Sequence, residues 1–166
     1  MDPIRYLPTY DGCFCCGQGN PAGLERRFRR EGGKVVAELP AGPRQQGFPG
    51  RVHGGILATV LDEAMGWVLA CEERWMCVTV KIEIAYRKPV EVGGIYRIEA
   101  WAADTPRRRL WRAHGRIVDE TGAVFVESEG LYAPIPDEAM AGVDRVLRYG
   151  EDVERVFGER GPTSPS

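Results

Sequence analysis

The sequence predicts an α+β fold in which an antiparallel sheet wraps one long central helix and a helical appendage follows at the C-terminus. Three observations predict it. Between Ile56 and Leu69 apolar pairs recur every four residues (Ile56/Leu57, Val60/Leu61, Ala64/Met65, Val68/Leu69), the period of an amphipathic helix. From Val78 the period falls to two, with Val78, Val80, Ile82, Ile84 and Tyr86 alternating with polar residues, as in a strand buried on one face. Further alternating runs then follow, separated by turn sequences, so an antiparallel meander succeeds the helix.

The elements can be justified in chain order. Residues 25–30 and 34–39 flank Gly32-Gly33, a dipeptide suited to the positive dihedral angles of a tight hairpin, and read as two strands. Pro40 to Arg51 is rich in Pro, Gly and Gln and reads as a long loop ending at His53-Gly54-Gly55. The helix carries a broad apolar stripe, widened by Trp67, and should pack deep against the sheet. Pro89 ends the first strand after it, and Gly93-Gly94 turns the chain into a second over 96–102. A third and fourth are expected over 110–118 and 124–133, joined by Asp119-Glu120-Thr121-Gly122, a good turn sequence. Residues 137–157 place Met140, Val143, Val146, Leu147, Val153, Val156 and Phe157 at roughly helical spacing, and the tail from Gly161 should fray. The expected division is therefore a main domain over 1–136 and a helical appendage over 137–166. Phe48, Trp67, Trp75, Trp101 and Trp111 read mostly as core.

Composition narrows the function. A chain of 166 residues with 43% hydrophobic and 28% charged residues can bury one real core and is not disordered throughout. Its 22 basic and 24 acidic residues give a net charge of -2, which argues against nucleic acid or an anionic membrane as the main partner. No signal peptide or membrane span is expected, because the most apolar stretch is broken by Asp62 and Glu63. Five cysteines, an odd number, suit a reduced, cytoplasmic protein.

The densest chemistry lies in Arg51-Val52-His53-Gly54-Gly55 and the helix it opens. A helix N-terminus offers unpaired N–H groups, and Gly54 and Gly55 let another molecule's oxygen approach them. On a helical wheel Asp62 and Glu63 fall on opposite flanks of the apolar stripe, with Thr59 and Gly66 between them. A carboxylate there can act as a general base on a carbonyl held by such donors. A Gly-Gly turn followed by solvated acids has the same spacing, so spacing alone does not separate the two readings, nor Asp62 from Glu63. Cys13 and Cys16 have the gap of a zinc-ligand pair, but no second pair follows, so a buried turn and no metal are expected. His114, between Arg112 and Arg116, reads as solvent-facing or interfacial.

The run from His53 to Gly66, HGGILATVLDEAMG, resembles the signature of hotdog-fold acyl-CoA thioesterases of the phenylacetate-degradation and 4-hydroxybenzoyl-CoA type. Cys13-Phe14-Cys15-Cys16-Gly17 with Asn20-Pro21 and Gly23-Leu24, Tyr86-Arg87-Lys88-Pro89-Val90, Arg108-Arg109-Leu110-Trp111, Gly115-Arg116-Ile117-Val118-Asp119 and Glu129-Gly130-Leu131-Tyr132 extend the likeness over roughly residues 12–134. The resemblance implies a hotdog fold, active sites built from two chains of a homodimer or homotetramer, and an acyl-CoA substrate. It implies that Asp62, nine residues after His53, is the base or nucleophile, with Glu63 the second candidate. Gly55 would donate its N–H to the thioester carbonyl, His53 would orient the substrate or loop, and Gly54 and Thr59 would line the substrate site. Relatives often carry an asparagine six residues before the histidine. Gly47 stands there, and the adjacent Gln46 has the same amide chemistry. Arg108 and Arg109 suit coenzyme A phosphates, or simply a solvated loop. No metal or organic cofactor is expected. The rival readings are a non-catalytic acyl-CoA-binding protein and a hotdog hydratase or dehydratase.

Overall fold

Gly32 and Gly33, with φ of 56° and 77°, turn the chain between β1 (Arg29–Glu31) and β2 (Lys34–Glu38), the hairpin the dipeptide predicts. This is seen in a computed structural model that describes residues 4–103 and 110–157. The long loop contains a single 3-10 turn (Pro43–Gln45), and α1 follows over Gly54–Glu73, two residues earlier than the apolar pairs alone suggest. It ends at Arg74, whose φ of 57° is left-handed. The remaining elements are β3 (Cys77–Tyr86), β4 (Tyr96–Ala102), β5 (Trp111–Asp119), β6 (Val124–Pro134) and α2 (Asp137–Val146).

The six strands form one antiparallel sheet in the order β1-β2-β4-β5-β6-β3. The expected meander is present as β4-β5-β6, and Asp119 secures the β5–β6 turn by accepting from the Thr121 and Ala123 amides at 2.9 and 3.0 Å. β3 departs from it: it pairs with β6, not with β4, which follows it in sequence. The pairing carries β3 across to the far edge of the sheet.

The strict alternation of β3 also misleads. A bulge between Thr79 and Lys81 shifts the register, so Cys77 and Thr79 face α1 before the bulge and Ile82, Ile84 and Tyr86 after it. Val78 and Val80, expected on the buried face, are instead 55% and 56% exposed. The bulge spends one residue without a partner, and every side chain before it changes face.

α1 lies against the sheet through Leu57, Val60, Leu61, Ala64, Met65 and Val68, which meet Ile98, Ala100, Ala113, Ile117 and Val126 in one cluster. Each large aliphatic side chain so buried contributes roughly 1.5–3 kcal/mol, so packing more than propensity holds the helix. The close approach depends on Gly115, where a Cβ would stand 3.0 Å from Leu61 Cδ2 and 2.8 Å from Ser128 Oγ. α1 is long and apolar enough by length and composition to cross a membrane, but 56% of its most apolar window is buried within this protein.

The helical pattern expected over 137–157 holds only to Val146. Beyond it the chain is extended, and its backbone pairs with the N-terminal segment: Arg148 N donates to Thr9 O, Tyr6 N to Asp152 O and Glu154 N to Tyr6 O, all at 2.8–2.9 Å. Those backbone bonds replace helical ones, and the break falls at Leu147, whose backbone is extended. Met140, Val143, Leu147, Val156 and Phe157 bury into the same cluster as α1. Of the aromatics expected in the core, Trp67, Trp75 and Trp111 are there, whereas Phe48 is 74% exposed and Trp101 lies half-buried against His114.

Candidate active site

α1 carries Asp62 and Glu63 to opposite sides of its buried stripe, as the helical wheel predicts, and each meets a different wall. Asp62 turns toward the sheet. Its Oδ1 accepts from Thr79 Oγ1 at 2.7 Å and from Tyr132 Oη at 2.9 Å, and the same tyrosine hydroxyl lies 3.1 Å from the Asp62 carbonyl. Tyr132 is 1% exposed, so β6 fixes it by packing. One carboxylate oxygen is therefore tethered, while Oδ2 has no hydrogen-bond partner among the described residues. Burial and the Asp62 charge push the Tyr132 phenol far above its ordinary value, so it remains a donor.

Glu63 turns toward the N-terminal segment. Its Oε1 accepts from Trp67 Nε1 at 3.1 Å, and Cys13 Sγ lies 3.8 Å from both carboxylate oxygens. Burial, and then the charge of Cys13, push the Glu63 carboxyl up to about 7. Cys13 is pushed down to about 5, chiefly because the Cys16 thiol and backbone amides donate to its sulfur. Tyr10 stacks on Trp67 at 6.3 Å between centroids.

The two acids share a crevice of about 130 Å³, also lined by Tyr10, Cys13, Trp67, Thr79 and Tyr132. Two larger hollows, of about 380 and 490 Å³, lie over the strands and contain neither acid. Thr79 and Tyr132 escape sequence reasoning, because Thr79 stands on the nominally polar face of its strand and Tyr132 is 70 residues from the acid it holds. Only the bulge in β3 brings Thr79 inward.

The N-terminus of α1 is arranged differently from the expectation that Gly55 offers a free donor. His53 caps the helix, its Nδ1 accepting from Gly55 N at 2.9 Å, and a Cβ at Gly55 would meet the imidazole at 3.0 Å. The N–H of Gly54 is the one without a partner among the described residues, while Tyr86 Oη donates to the Gly54 carbonyl at 2.9 Å. Thr59 Oγ1 donates back to Gly55 O at 2.8 Å and does not reach Asp62. Gln46 is engaged within its own loop, its Oε1 accepting from Gly50 N at 2.9 Å. Gly47 has a steric reason, since a Cβ there would come within 2.9 Å of His53 Cα. Arg108 and Arg109 lie outside the described residues.

Along one helix, seven residues separate Gly55 from Asp62, about 10 Å of axial rise. An oxyanion donor and a base acting on one carbonyl must both lie near 3 Å from it, so a single chain does not bring the two together.

Residues 49–126, from the loop before α1 to the start of β6, match the model of the thioesterase superfamily. The chain is similar to acyl-coenzyme A thioesterase THEM4 of Bos taurus, with 29% identity over 106 residues that cover 63% of this chain and 43% of that protein. It thus spans less than half the length of that relative. A solved structure described as a thioesterase superfamily protein aligns with a TM-score of 0.67 and 24% identity, covering 74% of this chain and 60% of the other. A hypothetical thioesterase of Streptococcus pneumoniae, solved with coenzyme A, aligns with a TM-score of 0.59 and 19% identity over 66% of this chain and 87% of its own. The likenesses to solved structures show the hotdog architecture, a sheet wrapped on one helix, and residues 49–126 are the segment that resembles the thioesterase superfamily.

Proposed function

We propose that this protein hydrolyses an acyl-CoA thioester to the free acid and coenzyme A, with Asp62 as general base or nucleophile. The observation that carries the reading is the Asp62 carboxylate: Oδ1 is fixed by two hydroxyls and Oδ2 is left for a water or a carbonyl carbon at the crevice. Hydroxyls orient the carboxylate without neutralising it, whereas an arginine partner would. A base so placed contributes typically about 10²- to 10⁴-fold. The coenzyme A held by the pneumococcal relative and the name of the bovine one support the substrate class.

The oxyanion donor comes, in this proposal, from the α1 N-terminus of a second copy. Gly54 N–H is available there, and Gly55 N–H becomes available when the His53 side chain swings off it, so His53 acts as a cap that opens. β3 supports the dimer: it is a ten-residue edge strand whose outer backbone groups have no strand partner among the described residues and whose Val78 and Val80 are exposed, a template for pairing with its equivalent. A homodimer, or a homotetramer of two such pairs, follows. The five free thiols suit a cytoplasmic location. Arg108 and Arg109 are proposed contacts for coenzyme A phosphates.

The test is thiol release from short, medium, long and aromatic acyl-CoAs. Release of coenzyme A with at least one class supports the reading. Binding of acyl-CoA without cleavage makes the protein a non-catalytic binder, and an absorbance change with an enoyl-CoA, without free thiol, makes it a hydratase.

A further inference from the structure

The proposed hydrolysis uses Asp62 and leaves Glu63 without a task. Glu63 is set into the protein with no lysine or arginine at ion-pair distance among the described residues. Two sulfurs stand there instead. The Sγ atoms of Cys13 and Cys16 and a Glu63 carboxylate oxygen all lie within 4.8 Å of one another. A carboxylate drawn out of water beside two thiols lacks a counter-charge, and a divalent cation is the group that supplies one to all three.

We propose that Cys13, Cys16 and Glu63 form a binding site for one thiophilic divalent cation of the zinc type. The separations suit it. Zn–S bonds of about 2.3 Å and Zn–O bonds of about 2.0–2.2 Å in a tetrahedron imply S···O edges of roughly 3.5 Å and S···S edges of roughly 3.8 Å. Cys13 Sγ is 3.8 Å from each Glu63 oxygen, so the ligands need to close by only a few tenths of an ångström on this edge. Two sulfur donors select zinc-like ions over magnesium or calcium, which prefer all-oxygen sites.

The local chain is built to present the donors. Cys16 N donates to Cys13 Sγ at 3.3 Å, and Gly17 N to Cys13 O at 3.1 Å, folding Cys13–Gly17 into a tight turn with both sulfurs toward α1. Gly17 is required by that turn, because a Cβ there would stand 2.5 Å from the carbonyl oxygens of Asp11 and Cys13. Trp67 Nε1 orients the Glu63 carboxylate from behind, the kind of outer contact that aligns a metal ligand. Cys16 is fully buried, whereas Cys13 and Glu63 line the crevice shared with Asp62, so the fourth position faces that crevice. The third ligand that the CxxC spacing lacks in sequence is supplied by the helix. Bound there, the cation ties the N-terminal segment to α1 one residue from Asp62, and each ligating thiol releases its proton to solvent.

Cobalt(II) titration of the reduced full-length chain tests the site without substrate, independently of any hydrolysis. One equivalent per chain is expected, with sulfur-to-cobalt charge-transfer absorption and tetrahedral ligand-field bands, displaced by zinc. Cys16→Ser should lose the charge-transfer signal, and Glu63→Gln should keep a weakened one with affinity lowered at least tenfold. Zinc should raise the melting temperature of the parent but not of Cys16→Ser, with far-ultraviolet circular dichroism confirming that the variant is folded. Absence of charge-transfer absorption in the parent at millimolar cobalt overturns the proposal, whatever the variants do. Cobalt binding undiminished in Glu63→Gln also overturns it, because the cation then sits elsewhere.

Discussion

The two sides of the sheet treat carboxylates in opposite ways. On the side away from α1, Glu99 is nearly buried, and its Oε2 receives Lys34 Nζ at 2.9 Å and Arg116 Nη2 at 2.8 Å, with Arg97 beside Oε1 at 3.4 Å. On the side facing α1, Asp62 and Glu63 meet hydroxyls, an indole and thiols, with no cation at ion-pair distance among the described residues. Burial alone raises Glu99, but the hydrogen bonds and charges of Lys34 and Arg116 outweigh it and hold the carboxyl below its ordinary value. On the proposed function, the difference separates a carboxylate that braces the sheet from carboxylates left for chemistry. A carboxylate paired with cations cross-links strands, whereas one oriented without a counter-charge keeps its capacity for a ligand.

Exchanging the amide for each acid is the sharpest way to break this contrast. Asp62→Asn should lower thiol release from the preferred acyl-CoA by roughly 10²- to 10⁴-fold while leaving the melting temperature close to the parent's. Glu99→Gln should do the reverse, costing about 1–3 kcal/mol in urea unfolding with turnover little changed. Equal losses of activity from both would show that the sheet's two sides are not functionally distinct.

Positioning gives smaller effects. Tyr132→Phe removes one of the two hydroxyls on Asp62 Oδ1, and kcat should fall about tenfold with KM nearly constant, within the hundredfold that an ångström-scale misplacement costs. A merely structural tyrosine would lower stability and leave kcat per folded molecule unchanged. Thr79→Val, which keeps the shape and removes the second hydroxyl, should lower kcat by a few-fold, and Thr79→Ser should restore most of it.

The pH dependence of stability is the mildest probe. Glu99 has a folded pKa below its unfolded value of about 4.3, so its contribution is fully present above that value and is lost as pH falls through the folded one. Parent and Glu99→Gln unfolding curves should therefore converge as pH is lowered from 5 toward 3, and a constant gap across that range would remove the ion cluster as the cause.

Much of this was readable from local pattern. The four-residue recurrence of apolar pairs located α1, Gly32-Gly33 located the first hairpin, and Asp119 to Gly122 located the last, because helix period and turn chemistry are properties of neighbouring residues. The split of the two acids onto opposite flanks was equally legible, being a matter of 100° per residue.

What the tertiary structure alone decided depends on pairing between distant segments. β3 sits beside β6 rather than β4, and its bulge exchanges Val80 for Thr79 as the residue facing α1. Alternation in the sequence has no means of recording a slipped partner. His53 occupies the Gly55 amide, and Gln46 folds onto Gly50, through contacts that the family likeness does not specify. The same holds for Cys13, Cys16 and Glu63. The sequence displays half of a metal-ligand pattern, and a helix fifty residues away brings the third donor, because sheet and helix must close on a common core before those side chains can meet.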